Sequence, residues 1–248
     1  MGEAVEAGNQ STVGWRVVED ARPLAEAVTR PGIELSPDDI DAFHHDGVVH
    51  VPGLYVDWVE SLQAGLDRML ADPASYAFPC ESTQGGESGR FFDAYCNWQR
   101  VPEFLSFVLG SSAAALAAAC MQSAQAQLFH EHVFSKEQGT AKATPWHHDL
   151  PYYCVDGTQT ATVYVALDDT PEETAVRFLR GSHRDGLTYR PRTFRTGDDY
   201  TTDDASMVPA PDMSDAEGPP VLSQALVAGD AIVFDFRTLH GTTAAAVE

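Results

Sequence analysis

Lysine is almost missing from this 248-residue chain, occurring only at Lys136 and Lys142, and lysine and arginine together number 15 against 37 aspartates and glutamates. The formal charge of −22 repels phosphate backbones and anionic lipid headgroups, which argues against nucleic acid and membrane surfaces as partners. The acids fall along the chain in small clusters such as Asp38-Asp39, Asp198-Asp199 and Asp203-Asp204, so they read as solvated surface and not as a binding tail. Cysteine is scarce as well. Cys80, Cys96, Cys120 and Cys154 lie far apart, which suggests neither a zinc knuckle nor a redox pair, and free thiols are expected. Long apolar runs are lacking, and Met1 to Ala7 shows no basic segment leading into one, so a cytoplasmic protein without a membrane span is expected. What remains is 44% hydrophobic and 10% aromatic, the composition of an ordinary folded protein. The length suits a single domain over residues 1–248.

Residues 1–35 carry no firm periodicity and read as a lead-in. Over residues 36–123 the pattern is mainly helical. Ser36 is placed to cap a helix that starts at Pro37 with acids in its first turn and stops at Gly47. Val48 to Val51 reads as a strand ended by Pro52-Gly53, and the apolar spacing predicts helices over Trp58 to Leu70, Pro102 to Leu109 and Ala113 to Met121. From residue 124 the pattern changes to short β-rich runs: Gln127 to Phe134, Thr160 to Leu167, Val176 to Leu179, Val221 to Leu226 and Ala231 to Phe236. Strands following helices predict a mainly β protein, a sandwich or jelly roll over 124–248 braced by helical support. Thr188 to Pro220, rich in Asp, Pro, Thr and Gly, reads as a long loop of the kind that is often functional or mobile.

Pro145-Trp146-His147-His148-Asp149 places an imidazole and a carboxylate two residues apart. On an extended segment they share a face, while His148 points away. His240, just past the buried run Ala231 to Phe236, can supply a third ligand. Two histidines and a carboxylate on one face of an octahedral metal leave positions open for a cosubstrate and O₂, the arrangement of non-haem Fe(II) oxygenases. On spacing alone, a polar loop is the cheaper account of a His-x-Asp pair.

The surrounding residues are more specific. Gly89-Arg90-Phe91-Phe92, Cys96 to Phe104, Thr144-Pro145-Trp146-His147-His148-Asp149-Leu150-Pro151-Tyr152-Tyr153, Gly181-Ser182-His183-Arg184 and Gly229-Asp230-Ala231 through His240-Gly241 resemble, in order, the phytanoyl-CoA dioxygenase family of Fe(II)/2-oxoglutarate oxygenases. The resemblance covers about residues 36–243. It implies a double-stranded β-helix, or jelly roll, with N-terminal helices packed on one side. It further implies Fe(II) on His147, Asp149 and His240, and hydroxylation of a small organic molecule with 2-oxoglutarate and O₂ consumed and succinate and CO₂ released. Related halogenases lack the carboxylate ligand, so Asp149 favours hydroxylation. Thr242 matches a position whose hydroxyl contacts the 2-oxoglutarate carboxylate. The family's arginine for the far carboxylate would fall some ten residues past His240, beyond Glu248, so the natural chain is expected to continue, and Lys136 is the nearest substitute cation.

Asn97, Arg100, Tyr152, Tyr153 and Arg237 combine aromatic walls with orienting polar groups and are candidates to line a substrate pocket. Trp98 and Trp146 read as packing residues, and His183 as a turn residue. His130-Glu131-His132 with Glu137 looks like the first ligand motif of a cupin, but Phe236-Arg237-Thr238-Leu239 replaces the Pro-x-Gly run expected before the last histidine. His130 and His132 are therefore assigned to the barrel wall. A cupin-type dioxygenase independent of 2-oxoglutarate, and a non-catalytic jelly-roll sensor, stay open as alternatives. Neither oligomeric state nor substrate is legible.

Overall fold

In the computed structural model the described residues are 35–76, 91–137, 143–193, 197–200, 204–211, 213 and 221–243. Chain order runs α1 (Pro37–Asp46), β1 (Val48–Val51), α2 (Val59–Ala71), α3 (Pro73–Tyr76), β2 (Phe91–Tyr95), α4 (Pro102–Gly110) and α5 (Ala113–Cys120). It continues through β3 (His132–Lys136), β4 (Thr144–His147), β5 (Thr162–Val165), β6 (Arg177–Leu179), β7 (Val221–Leu222), β8 (Ala231–Phe234) and β9 (His240–Thr242).

The first helix forms as its caps dictate. Ser36 accepts from the Asp39 N–H, and the Asp39 carboxylate accepts in return from the Ser36 backbone, a capping box worth about 1 kcal/mol. Gly47 ends the helix at φ 83°, a backbone that L side chains rarely adopt. A Cβ at this position would lie 2.4 Å from Thr238 Oγ1 and 2.5 Å from His183 Nδ1. Gly47→Ala is therefore expected to cost at least about 1–2 kcal/mol from the left-handed backbone alone. The denaturation midpoint should fall accordingly, with the overlap adding to the loss.

Among the described residues three antiparallel sheets form, ordered β1-β8-β5, β2-β3 and β4-β9-β6-β7. Alternation along β8 explains how two of them pack. Ala231 and Val233 face Phe43, Tyr55, Leu116 and Cys120 of the helical side, whereas Ile232 and Phe234 face Phe178, Leu226 and Val48 between the sheets. A third cluster seats α2 and α4 on β2 through Leu62, Met69, Phe104, Phe92 and Ala94. A fourth closes the outside of β4 and β9 with Trp146, Leu239, Tyr189 and Ala210, so residues of the long 188–220 segment cover that sheet. The antiparallel sheets, with helices on one side, form the jelly roll that the sequence implied.

Several boundaries need correction. The strand read from Gln127 starts only at His132, because β3 is held by its register with β2, from Tyr95↔His132 to Phe91↔Lys136. The run Val221 to Leu226 is a strand only to Leu222, with Leu226 in an isolated bridge to Thr170. A 3-10 turn over Val56–Trp58 precedes the helix expected from Trp58. Strands β2, β4 and β9 were not anticipated. In β4 the partners Thr144↔Thr242 and His147↔His240 show one extra residue on the β4 side. Pro145, which has no N–H to donate, sits in that bulge, where proline is tolerated.

Cys96, Cys120 and Cys154 carry free thiols, and Cys80 lies outside the described residues. Among the described residues no single helix is long and apolar enough to cross a membrane. The bent pair α4 and α5 matches by composition, but Phe104, Leu116, Ala117 and Cys120 are buried in the core.

Candidate metal centre

His147 and His240 are direct cross-strand partners at the ends of β4 and β9, their ring centroids 4.2 Å apart. The imidazoles are oriented from behind. His147 Nδ1 lies 2.8 Å from the Pro145 carbonyl and His240 Nδ1 lies 2.9 Å from the Thr238 carbonyl. A carbonyl only accepts, so each Nδ1 carries a ring proton, which leaves each Nε2 as the atom that could hold a metal. Both Nε2 atoms sit 3.7 Å from Asp149 Oδ1, and all three side chains are buried. Burial, then the neighbouring His240, pushes the His147 pKa well below the ordinary histidine range, which keeps this imidazole neutral.

Asp149 does not reach this point as the next residue on the same strand face. Its backbone is helical at φ −74°, ψ −30°, and it heads the 3-10 turn Leu150–Tyr152. The turn is pinned where the N–H groups of Asp149 and Leu150 donate to the Phe236 carbonyl, at 2.7 and 3.1 Å. His148 does point away: its Nε2 accepts from the Tyr189 N–H at 3.0 Å. The free carboxylate oxygen Oδ2 accepts from Thr162 Oγ1 at 3.0 Å, a contact with no signal in the sequence. Such outer hydrogen bonds fix ligand orientation and typically carry 10–100-fold in metal affinity, so Thr162→Val is expected to weaken Fe(II) binding by about tenfold in an anaerobic titration.

The donors fit a metal. One ligand atom from each of His147, Asp149 and His240 lies within 4.8 Å of the others, and two imidazoles with one carboxylate suit Fe(II) bound on one face. Phe178 and Phe234 wall the His240 ring at 5.9 and 4.7 Å, which dries one side of the centre.

Two residues along β9 from His240, Thr242 Oγ1 accepts from Lys136 Nζ at 2.8 Å and from the Thr144 N–H at 3.0 Å. Lys136 Nζ also lies 2.9 Å from Thr144 Oγ1, so the structure brings together the two residues singled out for the cosubstrate and adds Thr144. The remaining candidates divide. Tyr152 meets His147 edge-on at 5.7 Å, and Tyr153 packs on Phe236 at 5.1 Å, so both stand beside the centre. Asn97 is buried, donates to the Tyr76 and Tyr95 carbonyls and accepts from Arg100 Nη1. Arg100 also donates to the Ser75 carbonyl. Both residues tie α3 to the end of β2, and no hydrogen bond joins either to the triad. Arg237 forks onto Asp235 and lines a separate cleft of about 280 Å³ with Phe43, His44 and His183. Trp98 and Trp146 pack in the core, and His183 lies in the 3-10 turn Ser182–Arg184.

Burial lowers the pKa of both His148 and His183. The unfolded chain then binds more protons, so stability present above about pH 6.5 should be lost as pH falls below it. Thermal melts of the apoprotein should drop between pH 7.5 and 5.5.

A jelly roll with a buried two-histidine, one-carboxylate cluster defines a metal-dependent β-helix protein. The phytanoyl-CoA dioxygenase (PhyH) family model matches residues 43–246, and the chain belongs to that family. It is thereby a 2-oxoglutarate-dependent non-haem iron oxygenase by class. No curated protein sequence matches it. Among solved structures it is similar to the epimerase SnoN, described in complex with Fe³⁺, alpha ketoglutarate and nogalamycin RO, at 25% identity over 85% of this chain and 77% of that one, with a TM-score of 0.58. EvdO2 from Micromonospora carbonacea var. aurantiaca, complexed with 2-oxoglutarate, is 21% identical over 88% of both chains, with a TM-score of 0.62. EctD from S. alaskensis, with 2-oxoglutarate and 5-hydroxyectoine, is 18% identical over 89% of this chain and 75% of that one, with a TM-score of 0.63.

Proposed function

We propose that this oxygenase hydroxylates a small organic molecule, with His147, Asp149 and His240 holding Fe(II), and Lys136 with Thr242 receiving the far carboxylate of 2-oxoglutarate. The observation that carries the reading is the convergence of His147 Nε2 and His240 Nε2 on Asp149 Oδ1, each 3.7 Å away, in a buried cluster. Fe(II), 2-oxoglutarate and O₂ supply an oxidising power that amino-acid side chains lack. The protein's share is positioning. His147 and His240 are locked as Nε2 donors by the carbonyls behind them, and Asp149 is held by Thr162. Thr242 faces the same side as His240, about 6.6–6.8 Å further along the strand, a span suited to a five-carbon dicarboxylate. The Lys136 ammonium then offers the countercharge, and Tyr152 and Tyr153 flank the substrate side.

The net acidity favours a small, weakly charged substrate over nucleic acid or membrane, and the free thiols support a cytoplasmic location. The test is succinate formation from 2-oxoglutarate with Fe(II) and ascorbate. Turnover that disappears in Asp149→Ala is the expected result. Turnover that persists there, or metal retained by His147→Ala and lost by His130→Ala, overturns the assignment.

A further inference from the structure

Beside the metal centre, β2 and β3 carry a run of rings that the proposed chemistry leaves unused. Residues 130, 132 and 134 alternate along β3 and its lead-in, and Tyr95 is the cross-strand partner of His132. The Tyr95 ring stacks on His132 at 3.8 Å and 23°, and runs nearly parallel to His130 at 6.1 Å and 20°. Phe134 covers His132 at 3.7 Å. His132 is fixed by Asp93, a fully buried carboxylate that pairs with its Nε2. At the inner end His130 meets the Tyr153 ring at 4.7 Å, and Tyr153 packs on Phe236, whose carbonyl holds the Asp149 N–H. Phe129 packs on His130 and Tyr153 at 5.0 and 5.3 Å and is 44% exposed, and Phe134 at the far end is 42% exposed, so the run is open to solvent.

His130 is the odd member. His132 is tied to Asp93, but no hydrogen bond among the described residues engages the His130 ring. Burial holds it below the ordinary histidine range, so it stays neutral, with one N–H and one lone pair to offer. Asp93 puts a fully buried carboxylate behind the wall, which disfavours an anion against it.

We propose that this wall is the substrate-contacting face and selects an uncharged planar ring, aromatic or conjugated, that bears a hydroxyl or carbonyl hydrogen-bonded by His130. The inference rests on the oxygenase reading above and adds the substrate class and His130 as a specificity-determining residue. A planar ring can join the array of Tyr95, His130 and Tyr153 by stacking, whereas a saturated ring of equal size gains only its apolar burial.

The test is binding of 2-naphthol, trans-2-decalol and 2-naphthoate to the anaerobic Fe(II)- and 2-oxoglutarate-loaded protein, with metal and 2-oxoglutarate uptake measured in the same samples. 2-Naphthol is expected to bind at least about tenfold more tightly than the decalol and the naphthoate. His130→Leu should weaken 2-naphthol about five- to tenfold, and His130→Gln, which keeps a donor and an acceptor, should restore it to within about twofold. Equal binding of naphthol and decalol, no binding of naphthol, or a His130→Leu protein that takes up metal normally and binds naphthol unchanged would overturn the proposal. Such a result alongside normal Fe(II) and 2-oxoglutarate uptake sinks the wall alone, whereas absent uptake sinks the oxygenase assignment with it.

Discussion

His240→Ala is expected to lower Fe(II) affinity by well over about a hundredfold and to abolish 2-oxoglutarate turnover, while the protein stays folded. Loss of an outer hydrogen bond alone costs about 10–100-fold in metal affinity, and a ligand deletion removes the bond itself. The fold should survive because the β9 backbone, not the His240 ring, carries the pairing with β4 and β6. The cavity left beside Phe178 and Phe234 costs stability of a few kcal/mol at most. Asp149→Ala should match it in metal loss. Anaerobic calorimetry with Fe(II), together with a thermal melt, separates lost ligation from lost structure. A variant that binds metal as tightly as the wild type would remove His240 from the ligand set.

The second large effect is expected at Lys136. Its ammonium donates to the hydroxyls of Thr144 and Thr242, beside the strand that carries His240. If the far carboxylate of 2-oxoglutarate sits there, Lys136→Met leaves that anion without its partner, a loss of about 2–5 kcal/mol. The KM for 2-oxoglutarate should then rise by about 30-fold or more. Fe(II) affinity should change little, because the hydrogen bonds of Lys136 to Thr144 and Thr242 hold the 2-oxoglutarate end of the site and not a metal-binding atom. Thr242→Val should act in the same direction and less strongly, since it removes one hydroxyl and no charge. An unchanged KM in Lys136→Met would move the carboxylate elsewhere.

What the sequence discloses depends on whether the decisive contact is local. Ser36, Pro37, Asp39 and Gly47 set the ends of α1 within their own turn, and the structure keeps those ends. The β4 strand was illegible because Pro145 argues against a ladder, and only the pairing with β9 turns that proline into a bulge. The β3 start was misplaced for a similar reason: apolar and β-prone residues precede His132, but only β2 decides where pairing begins. In the site, the motif around His147 and Asp149 picks out two members of the buried cluster, although the geometry behind it differs. A turn pinned to the Phe236 carbonyl brings Asp149 in, where an extended segment was expected. Thr162 and Asp93 went unnoticed because each acts on a residue distant in sequence, and nothing in their neighbours marks it. Asn97 and Arg100 have the polarity of pocket residues, yet they use it on backbone carbonyls and on each other.

The most direct measurement is an anomalous difference map, collected at the iron edge from crystals loaded anaerobically with Fe(II). One peak bonded to His147 Nε2, His240 Nε2 and an Asp149 carboxylate oxygen, with the opposite side of the ion free of protein, is the result expected. A peak on His130 and His132 instead, or none within reach of the three side chains, would contradict it.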